Sequence, residues 1–414
     1  MSMETSLARI KKDIGTIQKF TSTPGQGCTR FSYSIEDKKA KNYLIDEMIS
    51  LGMDVKIDGV GNLRGTYKGQ CENLPIILVG SHMDTVKHGG SFDGITGVIA
   101  ALEVIRVLKE NNINTKHTIG LIGFAEEEGS NFGATTLGSK VITGKIASSE
   151  LKNIKNFEGK SYYEVLEESG LNPENIDNER LDKKDILGML ELHIEQSIVL
   201  DKNNLSIGIV KGIAGTRTYG VEIIGESNHA GATPMNMRKD ALIAASEIIS
   251  HVNDIVKENG LSTTVATVGK IECHPNVSNV IAEKVGFTID IRDLDDYAMD
   301  RVLKEVISYS NRISDKYEVK CNIRQITSFK GTRTCEKINN IIEDIVKSRG
   351  YSYCKMLSGA VHDSAVMAEI TDVGMIFVPS KDGKSHVPEE YTSFEDIKRG
   401  SDVLLETLLK LDKI

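Results

Sequence analysis

The sequence predicts an α/β protein: a mostly parallel-sheet catalytic domain with helices on both faces, interrupted by an inserted α+β domain of βαββαβ order. Three observations predict it. Short apolar runs of the buried-strand type alternate with longer helical segments. That alternation breaks after Gly212 and resumes near Ile338. The chain's 414 residues also exceed what one ordinary domain needs.

In chain order, Tyr43, Leu44, Met48 and Leu51 recur at helical spacing and predict a helix over 40–51. Residues 75–80 read as a buried strand, 97–108 as a helix and 117–124 as a second buried strand. Past Gly212 come a strand at 217–224, a strong helix at 240–257 and strands at 263–271 and 285–291. A helix at 297–313 and a strand at 318–326 complete a ferredoxin-like order. Helical patterning returns at 338–346, a buried strand follows at 373–378, and a helix at 394–411 ends the chain. The larger domain is therefore expected to be discontinuous, 1–211 with 331–414, and 212–330 to be inserted into it.

Composition narrows the function classes. With 50 basic and 59 acidic residues the formal charge is −9, which argues against a nucleic-acid partner. No stretch approaches the roughly 18 uncharged apolar residues of a membrane span, and the N-terminus lacks the apolar core of a signal peptide. The six cysteines are scattered with no Cys-x-x-Cys pair, so neither a zinc ribbon nor a disulfide scaffold is indicated. A reducing cytoplasm is the expected setting.

The chemistry-bearing residues lie at the ends of the apolar runs. His82 and Asp84 follow the strand at 75–80, where an α/β sheet opens its ligand crevice. At this spacing Asp84 can orient the imidazole, although His-x-Asp alone reads more readily as a solvated loop pair. Asp93 sits at the tip of a glycine-rich turn and can be a plain capping residue. Glu126, Glu127 and Glu128 directly follow the second strand; three adjacent carboxylates are costly unless solvated or neutralised by cations. His193 lies in an apolar strand-like stretch, and His386 in a loop after the strand at 373–378. Jointly, His and Asp/Glu donors without cysteine suit a catalytic metal site with an open position. Five ligands with one bridging carboxylate suit a two-metal centre, with a further glutamate as general base.

Six ordered blocks carry a resemblance: Gly80-Ser-His-Met-Asp-Thr-Val86, Gly89-Gly-Ser-Phe-Asp-Gly94, Glu126-Glu-Glu-Gly-Ser130, Glu191-Leu-His-Ile-Glu-Gln196, His229-Ala-Gly-Ala-Thr-Pro-Met235 and Ser385-His-Val-Pro-Glu-Glu-Tyr391. Over nearly its whole length the chain resembles the hydantoinase/carbamoylase family of the aminoacylase-like metallopeptidase clan. The resemblance implies two divalent ions per subunit, zinc first, with manganese, cobalt or nickel served by the same donors. It implies His82 and His193 as ligands of one ion, Glu128 and His386 as ligands of the other, and Asp93 as the bridge. Asp84 resembles the partner of a ligating histidine and Glu127 the general base, while Glu126 has no matching role and is expected to be solvated.

In the inserted domain, Arg217, Asn279 and Arg292 match substrate-holding positions, and His229 matches an oxyanion-stabilising histidine supplied by the neighbouring subunit of a homodimer. Gln196 matches a polar substrate position beside the site. The inserted domain is thus expected to serve as lid and dimerisation surface. The implied reaction is hydrolysis of the carbamoyl group of an N-carbamoyl-L-amino acid. Allantoate is the alternative substrate, N-acyl amino acids or dipeptides are remoter ones, and a catalytically silent metal-stabilised binding protein is the non-enzyme reading. Ser197-Ile198, Ala282-Glu283 and Val361 depart from the family's usual residues. They bear on the pocket and not on the ligands or the base.

Overall fold

The structure, a computed structural model, describes residues 3–71 and 73–414. The chain divides into two compact units. The first comprises the chain up to Lys211 with Arg333–Met356 and His362–Ile414; the second is Gly212–Thr332 with Leu357–Val361.

The first unit is built on a mixed sheet with a parallel centre. Ile76–His82 pairs in parallel with Ile119–Phe124 on one side and Ile186–Ile194 on the other. Ile186–Ile194 in turn pairs in parallel with Val373–Val378. Antiparallel strands flank this centre: Leu63–Tyr67 joins Ile119–Phe124, and Ile207–Ile213 joins Val373–Val378. Leu63–Tyr67 escapes the sequence reading because it is short and only half-buried, without a continuous apolar run.

Alternation along the central strands fills a core on each face. Ile77 and Val79 join the helices Leu7–Ile17, Ile95–Glu110 and Phe394–Leu411 in one core. Leu78, Ile122 and Phe124 enter another with Met189 and Met367. Strands covered on both faces need apolar residues at successive positions, which is why they read as unbroken runs. Because the central strands are parallel, their C-terminal ends share one edge. The register sets His82 beside Phe124, and His193 beside Phe377. A crevice for ligands opens at such an edge.

The second unit has a βαβββαβ order. Its sheet runs Lys320–Phe329, Gly215–Ile224, Lys284–Asp293, Val265–Thr267, all antiparallel, with Ile271–His274 also on Lys284–Asp293. The strand expected over 263–271 is instead two short pieces, one either side of Val268-Gly-Lys270. Val285, Phe287, Ile289 and Ile291 alternate inward onto the helices Ala241–Asn259 and Asp296–Tyr317. Asp240 and Asp295 cap those helices through their carboxylates.

Among the described residues no helix is long and apolar enough to cross a membrane. All six cysteines are free thiols.

Candidate metal centre

Four loops and strand ends of the first unit converge on Asp93. His82 is the last residue of Ile76–His82, and His193 the penultimate residue of Ile186–Ile194. Strand pairing fixes their backbones, and a backbone carbonyl fixes each ring: Asp84 O lies 3.1 Å from His82 Nδ1 and Ile194 O 2.9 Å from His193 Nδ1. Both rings therefore present Nε2 inward. Asp93 Oδ1 is 3.4 Å from His82 Nε2 and 3.1 Å from His193 Nε2. Its other oxygen, Oδ2, is 3.2 Å from His386 Nε2. Glu128 Oε1 lies 3.4 Å from that same His386 nitrogen, and Glu127 Oε2 lies 3.9 Å from His82 Nε2. Gly94, at φ +64°, makes the turn after Asp93; a Cβ there would sit 2.3 Å from the His82 ring.

Donor atoms group accordingly. His82, Asp93 and His193 form one set within reach of a single ion, and Asp93, Glu128 and His386 form a second, so Asp93 belongs to both. The electrostatics are those of a cation-binding cluster. Burial pushes Glu127 well above the usual carboxylate range against the pull of His82, with Glu128 adding to the rise. Burial, then Asp93, pushes Glu128 up to about 8. Burial alone would raise Asp93, yet the close approach of the His193, His386 and His82 rings holds it well below its ordinary value. Burial also opposes a charge on His82, but Glu127 and Asp93 keep its pKa well above the usual imidazole range.

The sequence pattern of peptidase family M20/M25/M40 matches residues 78–410. The chain belongs to this family. It is 35% identical over 405 residues to an N-carbamoyl-L-amino-acid amidohydrolase of Paenarthrobacter aurescens, covering 98% of each chain. It is also 35% identical over 386 residues to an allantoate amidohydrolase of Bacillus subtilis (strain 168), covering 93% of each. Among solved structures, a hydantoinase/carbamoylase family amidase from Burkholderia multivorans superposes with a TM-score of 0.93 at 30% identity, covering 99% of both chains.

Enzymes of the M20 family depend on two metal ions, and this site fits them. Asp93 Oδ1 and Glu128 Oε1 are buried acceptors without a hydrogen-bond donor, a costly state that a cation relieves. The donors are imidazole nitrogens and carboxylate oxygens only, with no thiolate.

Two neighbours of these donor residues behave differently from expectation. Asp84 does not orient His82 through its carboxylate, which stands 3.9 Å from Nδ1. That carboxylate accepts instead from the backbone N–H groups of Glu127 and Glu128, at 3.0 and 3.1 Å. Glu126 is not solvated but fully buried, accepting from Asn131 N and Nδ2 and from Phe132 N. Three consecutive acids suggest a wet surface; here a tight turn supplies the donors that water would. Gln196 lies in the centre itself, its Nε2 donating to Asp93 Oδ2 at 2.8 Å.

In the second unit, Arg217 and Arg292 are not brought together. Arg217 stands opposite Ile291 and Arg292 opposite Thr216, so the two arginines point to opposite faces of the sheet. Arg217 is on the helix-covered face, ion-paired to Asp296 at 2.9 Å and to Asp300. Arg292 is on the open face, with Nε on Asp290 Oδ1 and Nη1 on Gly359 O, both at 2.8 Å. His229 and Asn279 do meet: His229 pairs with Val280 in an antiparallel bridge, and Ala230 N donates to Asn279 O. His229 is exposed, and its Nδ1 accepts from Gly231 N and Ala232 N, which leaves the proton on Nε2.

Several residues around the centre stand in blocks that the sequence singles out, His362 with Asp363 among them, but carry no role in the sequence reading. Glu191 is buried and accepts from Ser81 Oγ at 2.6 Å and Ser364 Oγ at 2.5 Å. Its signal was a carboxylate two positions before His193 inside an apolar strand. The ring of His362 packs edge-on against His193, centroids 4.6 Å apart; burial, aided by His193, holds its pKa well below the usual range. Glu390 and Ser385 sit behind Asp93 and His386.

Proposed function

We propose that this chain hydrolyses the C–N bond of the ureido group of an N-carbamoyl-L-amino acid, releasing ammonia, carbon dioxide and the free amino acid. The observation that carries this reading is the divided Asp93 carboxylate, with one oxygen toward His82 and His193 and the other toward His386. Full-length similarity to an N-carbamoyl-L-amino-acid amidohydrolase supports the substrate class.

In this reading His82, His193 and Asp93 would hold one divalent ion, and Asp93, Glu128 and His386 the second. Zinc is the first choice, with manganese, cobalt and nickel suited to the same donors. When bound, the ion pair supplies Lewis acidity to the substrate carbonyl and to water. Glu127 takes the proton of the attacking water on its carboxylate and returns it to the leaving nitrogen. Asp84 holds Glu127 and Glu128 in place through their backbones. Gln196 offers its amide to the substrate beside Asp93. The second unit provides Arg292 for the substrate carboxylate, and the Nε2–H of His229 and the amide of Asn279 for the carbonyl oxygen as it gains charge. A cytosolic homodimer formed through the second unit, with His229 acting across subunits, completes the proposal.

Allantoate, also a ureido acid, is the second reading, because the allantoate amidohydrolase of Bacillus subtilis is equally similar in identity. An ammonia-release panel on metal-reconstituted protein separates them: N-carbamoyl-α-amino acids, N-carbamoyl-β-alanine, allantoate and N-acetyl amino acids. Preferred turnover of an N-carbamoyl-L-α-amino acid supports the first reading, and preferred turnover of allantoate replaces it with the second. Bound metal with no turnover of any ureido acid would point to a silent binding protein.

A further inference from the structure

Asp93 and His386 lie on loops far apart in the chain, and neither loop is part of the sheet. Between them lies the carboxylate of Glu390, only 5% exposed. Its Oε1 accepts from the backbone N–H groups of Phe92 and Asp93, both at 3.0 Å. Its Oε2 accepts from Ser385 Oγ at 2.9 Å and from the backbone N–H of His386 at 3.3 Å. One side chain thus takes two donors from each ligand-bearing loop.

The surroundings are shaped to this contact. A Cβ on Gly90 would lie 2.0 Å from Glu390 Oε1 and 2.4 Å from its Cβ, so only glycine lets the two segments close. Phe92 packs edge-on to Tyr391, centroids 5.5 Å apart. His386 adopts φ +59°, a left-handed conformation that a non-glycine residue holds only when its surroundings impose it.

We propose that Glu390 is a positioning residue of the metal centre: it sets the placement of His386 against Asp93, and with it the ion site formed by Asp93, Glu128 and His386. The proposal rests on the two-metal reading above. His82 and His193 do not need this brace, because sheet pairing and backbone carbonyls already hold them. Loss of Glu390 therefore falls unequally on the two sites.

Glu390→Gln makes the inequality directional. The carboxamide has one acceptor oxygen and one NH2 group. Turning the oxygen toward Phe92 and Asp93 keeps two backbone hydrogen bonds and sets NH2 against the His386 N–H. The opposite orientation faces NH2 toward two backbone donors, which is worse. The His386 side is the one that loses its anchor.

The test is titration of the chelator-stripped, full-length protein with Zn2+ against a chromophoric competitor. The wild type should take up two ions per chain. Glu390→Gln should bind the first ion within about threefold of wild type and the second roughly 10–100-fold more weakly, the range typical of lost partners to metal ligands. Gly90→Ala displaces the same carboxylate without altering its charge and should show the same split. It also carries the comparison should Glu390→Gln fail to fold. Equal weakening of both ions, or no weakening in either variant, would overturn the proposal. Fewer than two ions in the wild type contradicts the two-metal reading itself.

Discussion

The carboxylate of Asp84 accepts the backbone N–H of Glu127 at 3.0 Å, and that of Glu128 at 3.1 Å. It therefore steadies the acidic loop, while its own backbone oxygen takes His82 Nδ1. Asp84→Asn leaves one acceptor oxygen for two N–H donors. The expected result is a fall in kcat of about 10–100-fold, with the loss of metal affinity greatest for the ion assigned to Glu128. Steady-state kinetics with metal analysis checks this; an unchanged kcat would remove Asp84 from the account.

The metal-free protein should lose stability as pH rises. Burial pushes Glu126, Glu128 and Asp363 up to about 8, and the hydrogen bond to Asp93 raises His386 to about 9. Unfolded carboxyl groups release their protons near pH 4 and imidazole near 6.5. From about pH 5 to 8 the folded state thus binds more protons than the unfolded one, so stability falls across this window. Asp93, held low, acts in the opposite sense only at acid pH, and the lowered His362 offsets part of the decline below about pH 6.5. Of these groups, Glu128 and His386 are the ones placed to meet a cation, which would displace their protons. Thermal unfolding of chelated protein should show the decline, and saturating zinc should lessen it. A rising unfolding temperature from pH 5 to 8 without metal would contradict the account.

Arg292 and Arg217 should separate by kinetics. Arg292→Ala is expected to raise KM for ureido acids by about 10–100-fold, the loss of one charge-assisted carboxylate contact. Arg217→Ala removes ion pairs to Asp296 and Asp300 and should leave KM within about threefold while lowering the unfolding temperature slightly. A large KM effect from Arg217→Ala would restore it as a substrate contact.

The contrast between these arginines shows where sequence reading runs out. Tyr219, Val221 and Ile223 share parity with Arg217, and Ile289 and Ile291 oppose that of Arg292, but opposite faces follow only once the strand register is known. His82, His193 and the loop after Phe124 were legible because continuous apolar strands place their last residues at one sheet edge. Glu390 was not, because its partners are backbone amides brought together by the tertiary fold. Asp84 and Glu126 were assigned by neighbours in the chain, whereas their contacts are set by the turn that follows Phe124.

Should His229 act across a dimer, mixing His229→Ala with Glu127→Gln subunits should restore part of the activity that each lacks. A demonstrated heterodimer with no recovery would place His229 in its own subunit's site or outside catalysis.

The most direct test pairs ammonia release with metal content in wild type and Glu127→Gln, each stripped and reloaded with zinc. The account predicts two ions in both proteins, turnover of a ureido acid by the wild type, and a loss of roughly 10²–10⁴-fold in the variant. Wild-type turnover by Glu127→Gln, or no ammonia from any ureido acid with fully loaded wild type, would contradict it.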